Sequence, residues 1–187
     1  MADALSQITV YKRGWRYART VDVAGLLVSW GVNTPGRLSC LLPLDAAPYT
    51  GMDWLGRWIE WEHPTQGRWA GYVEDRIKSG DDGMIELGAV GHVNILSKRR
   101  TMRRYRPAAG PPAAIVNRAL SDVVLAAGMS YRFDFSERGP HLKYEFRAGS
   151  VMDVMDTMVS SSGQEWASWL DDDRTLVIQW RPQVGGD

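Results

Sequence analysis

The sequence predicts a β-rich α+β protein, in which a small antiparallel β-barrel is followed by an α+β domain. Two observations support this fold class. The first half of the 187-residue chain consists of short alternating stretches separated by turn-forming residues. Apolar residues at helical spacing first occur after a joint rich in Pro, Ala and Gly at residues 106–112. We therefore expect a barrel domain of the tube- or ring-forming type at residues 1–107 and an α+β domain at residues 108–187.

At least five strands are expected in the first half of the chain. Alternating or apolar runs cover residues 7–12, 25–30, 36–42, 55–62, 68–75 and 84–87. The sequence between the fourth and fifth runs, residues 63–67, contains Pro and Gly and predicts a hairpin. On the first arm of this hairpin, Ile59 faces one side, whereas Glu60 and Glu62 share the other side, which we expect to be solvated. Strands at this spacing are typical of a small barrel or sandwich.

The second half predicts the order helix, strand, strand, helix, strand, strand. Pro111 and Pro112 are suited to the start of the first helix, and Gly128 to its end. Ser150 and Asp153 have the spacing of a capping box for the second helix, which Gly163 is expected to end. The strands are expected at residues 131–135, 142–146, 165–170 and 175–180, and the last two bracket an acidic turn at residues 171–173.

The charge balance narrows the function classes. The chain has 22 Lys and Arg against 22 Asp and Glu, which argues against binding of nucleic acid or anionic membranes by overall charge. A net charge of zero gives little electrostatic repulsion between copies, which suits a subunit that assembles into a larger particle. The start of the chain lacks the basic residues and apolar run of a signal peptide, so we expect no export and no membrane-spanning segment.

No arrangement of residues predicts an enzyme. Cys40, the one cysteine of the sequence, lies within an apolar run, which is typical of a small buried hydrophobe rather than a nucleophile. His63, His92 and His141 are not at metal-ligand spacing. The sequence contains neither a phosphate-binding loop nor a nucleophile elbow. We therefore expect no catalytic residue, no metal and no cofactor.

Two groups of residues are candidates for interaction sites. The first is a run of six cations within nine residues, here called the basic segment: Lys98, Arg99, Arg100, Arg103, Arg104 and Arg106. It faces phosphate or an acidic neighbouring subunit, or it is a solvated linker, and the sequence leaves these alternatives open. The second group consists of aromatic residues in the central hairpin, Trp58, Trp61 and Trp69, because subunit interfaces are rich in aromatic side chains.

The order of these elements resembles the tail-hub proteins of tailed bacteriophages, the minor tail or baseplate-hub family that is related to hub parts of contractile injection machines. In the first half, the resemblance rests on residues 36–43, 54–61, 68–73 and 84–89. In the second half, it rests on the predicted helices at residues 113–127 and 151–160 and on the hairpin at residues 166–180. The resemblance covers roughly residues 20–181.

The resemblance implies a non-enzymatic structural component of a phage tail tip. Its barrels would form part of a ring that continues the tail tube and supports attachment and genome delivery. The implied partners are copies of itself in a trimer or hexamer and other tail proteins, such as tail tube, distal tail, fibre or tape-measure proteins. Genome DNA would pass through the lumen without specific binding. The implied location is the virion tail tip, after synthesis in the host bacterial cytoplasm.

One departure from the family pattern concerns the number of barrels. Family members commonly carry two barrel-like domains, whereas this sequence has room for one. Either a second chain supplies the missing barrels, or six copies close the ring. The alternative to a tail protein is a small β-barrel module that binds nucleic acid or glycan through its basic segment and exposed aromatic residues.

Overall fold

A computed structural model describes most of the chain, in two compact units. The described ranges are residues 6–12, 16–43, 53–63, 65, 67–78, 83–101, 104–124, 130–135, 140–147 and 149–182. The first unit consists of residues 1–30 and 35–92, and the second of residues 31–34 and 93–187. The joint predicted at residues 106–112 lies inside the second unit. The extent of each independently folding domain stays a prediction.

The helices and most strands follow the predicted order, but the strand predicted at residues 142–146 is reduced to Phe146–Arg147, and a short strand at Arg104–Tyr105 was not predicted. The first unit contains strands β1 (Ser6–Lys12), β2 (Arg16–Ser29), β3 (Arg37–Pro43), β4 (Trp58–His63), β5 (Gly67–Lys78) and β6 (Met84–Gly91). After a 3-10 helix at His92–Lys98, the second unit contains β7 (Arg104–Tyr105), α1 (Pro112–Val124), β8 (Tyr131–Phe135), β9 (Phe146–Arg147), α2 (Val151–Ser162), β10 (Gln164–Leu170) and β11 (Leu176–Pro182). The predicted β-rich α+β fold class is confirmed.

The six strands of the first unit close into an antiparallel barrel with the order β1-β2-β3-β6-β5-β4. Alternate residues point inward, as the period of two requires. The buried core consists mainly of aliphatic side chains: Ile8, Val10, Val21, Val23, Leu38, Leu42, Ile59, Val73, Ile85 and Leu87. Cys40 lies among them, and burial raises the pKa of its thiol to about 12. This confirms Cys40 as a buried hydrophobe.

Glycines make room for one indole inside the barrel. Trp69 is only 2% exposed. A Cβ atom added at Gly71 would overlap the Trp69 ring and the carbonyl group of Val90, and one added at Gly36 would lie 3.3 Å from the Trp69 Nε1. Gly36 also has a φ of 71°, which favours glycine. Small residues at these positions are therefore what allows a tryptophan to fill the interior of so small a barrel.

The second unit packs two helices on a three-stranded sheet. Its central strand β11 pairs antiparallel with β10 and parallel with β8. The parallel pairing is possible because a long connection that includes α2 separates β8 from β11. The core contains Trp166, Ile178 and Trp180 from the sheet and Ile115, Leu120, Val154, Met155 and Met158 from the helices.

The ends of α2 are those that the sequence predicts. The Ser150 hydroxyl accepts a hydrogen bond from the Asp153 N–H at 3.1 Å, and the Asp153 carboxylate accepts one from the Ser150 N–H at 2.6 Å. Gly163 ends the helix with a φ of 64° and donates its N–H to the Val159 carbonyl. Both predictions are confirmed. Gly128, the predicted end of the first helix, lies outside the described residues.

The outer face of β4 is not uniformly solvated. Glu62 is exposed, but Glu60 is only 8% exposed. The Tyr11 hydroxyl donates a hydrogen bond of 2.6 Å to Glu60 Oε2. Because β1 lies beside β4, with Thr9 opposite Glu60, the neighbouring strand brings Tyr11 over this carboxyl group. The expectation of a solvated face is therefore wrong for Glu60.

Removing this hydrogen bond should destabilise the barrel. Tyr11→Phe removes this hydrogen bond to the buried Glu60 carboxyl group, and we expect the free energy of unfolding to fall by about 1–3 kcal/mol. The control is Glu62→Gln, which changes an exposed neighbour and should alter stability by less than about 0.5 kcal/mol. Urea denaturation measures both values. A Tyr11→Phe effect no larger than that of the control would contradict a structural role for this contact.

Candidate subunit interface

The three candidate interface aromatics occupy different environments. Trp69 points into the barrel, so its side chain is inaccessible in the folded unit. Trp61 is half-buried and its ring lies 5.8 Å from that of Trp30, which is exposed. Trp58 is also half-buried, and it meets the Tyr72 ring edge-on at 5.4 Å. Trp58 and Trp61 remain candidates for an interface, because part of each side chain is accessible.

The basic segment begins at Lys98, the last residue of the 3-10 helix, and its next described residues, 99–101, pair with residues at the start of α2. The Thr101 N–H donates to the Gly149 carbonyl at 2.9 Å, and the Val151 N–H donates to the Arg99 carbonyl at the same distance. Further along, β7 pairs with β9 through Arg104 and Arg147. In the described residues, backbone hydrogen bonds thus fix the segment along the start of α2. Which of the three predicted roles the segment has stays a prediction.

Buried side chains between the cations hold the segment in place. Thr101 and Tyr105 are both buried. The Tyr105 hydroxyl donates to the Ile115 carbonyl at 2.8 Å, and the ring lies 5.8 Å from that of Phe146. Burial, assisted by the Asp122 carboxylate, raises the pKa of Tyr105 to about 12. The sequence signal for this arrangement is the threonine and tyrosine that interrupt the run of cations.

The cations of the segment differ in their surroundings. Lys98 and Arg100 are exposed, and Arg106 forms an ion pair of 2.9 Å with Glu145. Arg99 is half-buried, and its Nε has no hydrogen-bond partner among the described residues. Nothing is described for the Arg103 residue or the Arg104 side chain. The segment therefore presents positive charge from a fixed backbone, as a docking surface for an anionic partner requires.

An acidic groove on the barrel is the feature that the sequence analysis missed. It has a volume of about 420 Å³ and is lined by strands β2, β3, β5 and β6. Its carboxylates are Glu74, Asp75 and Glu86, and Arg37 is the one cation among the lining residues that the structure describes. Leu27, at the margin, is 71% exposed. We use the name acidic groove for this surface.

A β-bulge explains why the groove is so acidic. The pairing of β5 with β6 shifts register between Val73 and Asp75. The consecutive residues Glu74 and Asp75 are therefore both exposed, whereas regular alternation would turn one of them inward. Glu86 joins them from β6. The adjacent acidic pair in the β5 run was the available sequence signal.

The histidines occupy unrelated positions. His63 Nδ1 accepts a hydrogen bond from the Thr65 N–H at 3.2 Å, and His141 is exposed in the second unit. His92 is buried, with its ring 4.7 Å from that of Trp58, and burial lowers its pKa to about 4. Within the described ranges, no group of three or more His, Cys, Asp or Glu residues is placed to hold a metal ion.

The low pKa of His92 predicts acid sensitivity. The unfolded chain, in which histidine titrates near 6.5, binds the proton more readily than the folded state, so stability is present above pH 6.5 and is lost as the pH falls towards 4. We expect a loss of about 2 kcal/mol between pH 7.5 and pH 5. Urea denaturation at both pH values measures it, and His92→Gln should reduce the difference. An equal difference in the variant would contradict the assignment.

Comparisons with known proteins bear on the fold. No protein-family model and no curated protein matches the sequence. Among solved structures, the chain is similar to the prophage tail protein gp18 from Listeria monocytogenes EGD-e, with a TM-score of 0.61 at 12% identity over 93% of this chain and 50% of that one. The chain has the fold of a phage tail protein. The resemblance to the tail-hub family is therefore confirmed at the level of the fold.

Two further structures share this tail-protein fold. The 43 kDa tail protein of prophage MuSo2 from Shewanella oneidensis gives a TM-score of 0.59 at 12% identity, over 92% of this chain and 54% of that one. The chain is also similar to a component of the E. coli type VI secretion system, which is described as structurally similar to the T4 bacteriophage tail proteins gp27 and gp5. The TM-score is 0.61 at 12% identity, over 95% of this chain and 45% of that one. The chain spans about half the length of these proteins. Within the described residues, no helix has the length and apolar character needed to cross a membrane.

Proposed function

We propose that this chain is a structural, non-enzymatic subunit of a phage tail tip, a tail-hub or minor tail protein that forms part of the ring continuing the tail tube. The observation that carries the proposal is the shared fold. A closed barrel and an α+β unit together match tail proteins over 92–95% of the chain, with TM-scores of 0.59–0.61. The proposed location is the virion tail, at its tip.

The outer surface of the barrel supports a role in assembly. The six strands close into a barrel, and side chains on its outer surface can therefore contact neighbouring copies. Leu27 and Tyr17 of β2 are large and more than half exposed, as expected for residues that a neighbour would cover. We propose a ring of three or six copies, in which a further barrel domain or chain completes the three-copy form.

The proposal includes other tail proteins as partners. Tail tube, distal tail, fibre and tape-measure proteins are the classes that a tail-tip ring would contact. Genome DNA would pass through the lumen during ejection without specific binding.

Measurements on the purified chain test this function. We expect ring-shaped particles in negative-stain electron microscopy, and mass photometry should show three or six copies per particle. Duplex DNA, titrated at two salt concentrations, should bind weakly. A chain that stays monomeric at all concentrations, and whose DNA affinity falls steeply with salt, would contradict the proposal and indicate a nucleic-acid-binding module.

A further inference from the structure

We propose that the acidic groove of one copy binds the basic segment of a second copy of this chain, so that copies join head to tail. This inference rests on the proposed function, because it names the two surfaces through which the ring closes. Each copy carries both surfaces, one on each unit. A contact between two different surfaces of identical chains is the type of interface that generates rings.

The groove has the shape and charge to receive a cationic strand. Small residues, Ser39 and Gly88, are among those that line it, so space is available for an incoming side chain. A Cβ atom at Gly88 would lie 3.3 Å from the Asp75 Cβ, and any larger residue there would narrow the groove. Leu27 adds an apolar anchor at the margin. Carboxylates around an apolar contact are typical of interface rims.

The basic segment has the complementary charge and a fixed backbone. Its neighbours Thr101 and Tyr105 are buried, whereas Lys98 and Arg100 are exposed. Because the backbone is already ordered by its hydrogen bonds to residues 149 and 151, little conformational entropy is lost on docking.

The overall charge balance favours a second copy as the occupant. Six cations lie within the basic segment, yet the whole chain has a formal net charge of zero. The remainder is therefore net acidic, and the groove concentrates three of its carboxylates on one surface. A phosphate ligand would explain the positive charge of the segment but not the negative charge of the groove. A second copy of the chain explains both.

Charge reversal in two separate variants tests this contact. The groove variant carries Asp75→Lys and Glu86→Lys, and the segment variant carries Lys98→Glu and Arg100→Glu. All four side chains are exposed, and circular dichroism verifies the fold. In the groove variant, the groove and the segment are then both positive, and in the segment variant the net charge of the segment falls from +6 to +2. We expect each variant alone to associate about tenfold or more weakly than the unmodified chain in mass photometry.

Mixing the two variants gives the decisive result. The unchanged basic segment of the groove variant then meets the unchanged acidic groove of the segment variant. We expect the mixture to form particles that contain one copy of each variant and that neither variant forms alone. A contact within a single chain could not be restored by mixing. The matched control, Asp22→Lys with Glu62→Lys, makes the same charge change at exposed barrel residues outside the groove and should assemble normally.

Two outcomes would overturn the inference, and they differ in what else they overturn. If the unmodified chain forms rings, and the groove variant assembles like the control or mixing restores nothing, this interface is wrong but the proposed function stands. The interface is likewise wrong if the segment variant assembles normally and loses only its binding to DNA. If the unmodified chain remains monomeric, the proposed function fails together with the interface.

Discussion

Replacing Trp166 by Ala is expected to lower the free energy of unfolding of the second unit by about 3–5 kcal/mol. The indole is fully buried in β10, opposite Trp180 of β11. Truncation removes a large apolar surface from the core and leaves a cavity between the sheet and the helices. Denaturation followed by circular dichroism and tryptophan fluorescence measures the loss.

The same strand provides a matched control. Trp169, three residues further along β10, is 38% exposed, and Trp169→Ala should cost less than about 1 kcal/mol. Trp166→Phe should lower the free energy of unfolding less than Trp166→Ala, because an aromatic ring still fills part of the space. The Trp166 Nε1 also has no hydrogen-bond partner among the described residues, so Phe sacrifices no such bond. Equal losses at positions 166 and 169 would contradict the packing of this core.

Gly71→Ala is expected to destabilise the barrel by roughly 3 kcal/mol. The added methyl group would overlap the Val90 carbonyl group and the ring of Trp69. Gly71 lies in the middle of β5, paired with Ile59 on one side and Gly91 on the other. The backbones of β4 and β6 cannot move away without breaking their hydrogen bonds to β5, so the overlap remains largely unrelieved.

A second glycine provides the comparison for this prediction. At Gly110, the nearest heavy atoms to an added Cβ lie 3.9 Å away, which is an ordinary contact distance. Gly110→Ala should therefore be neutral or slightly stabilising, since alanine loses less backbone entropy on folding. Urea denaturation of both variants measures the difference. A Gly71→Ala protein as stable as Gly110→Ala would contradict the close approach of β5 and β6.

The fold class was predictable because most elements carry a periodic pattern or a cap. In β8, Tyr131, Phe133 and Phe135 alternate with polar residues, and Ser150 and Gly163 mark both ends of α2. The N-terminal half of β2 was missed. Residues 16–20 are mostly polar and only partly buried or exposed, so they lack the alternation that reveals a strand.

The candidate interface was only partly predictable. The basic segment is visible in the sequence, but its attachment to residues 149–151 depends on pairing with a distant part of the chain. The acidic groove brings Glu86 of β6 onto the same surface as Asp75 of β5, which lies opposite Gly88 in a register that a bulge shifts. Register is a tertiary property, and residue spacing alone does not specify it. Likewise, the burial of Trp69 depends on space beside its ring at Gly36, which is far from it in the sequence.

A cryo-EM reconstruction of the tail tip, from a particle that contains this chain, would show directly whether the barrels form the proposed ring. We expect density for the six-stranded barrel, repeated around the tail axis in a ring that lines the lumen. Tails that are complete and infectious without this chain, or barrels that lie outside the tube wall, would contradict the proposed ring.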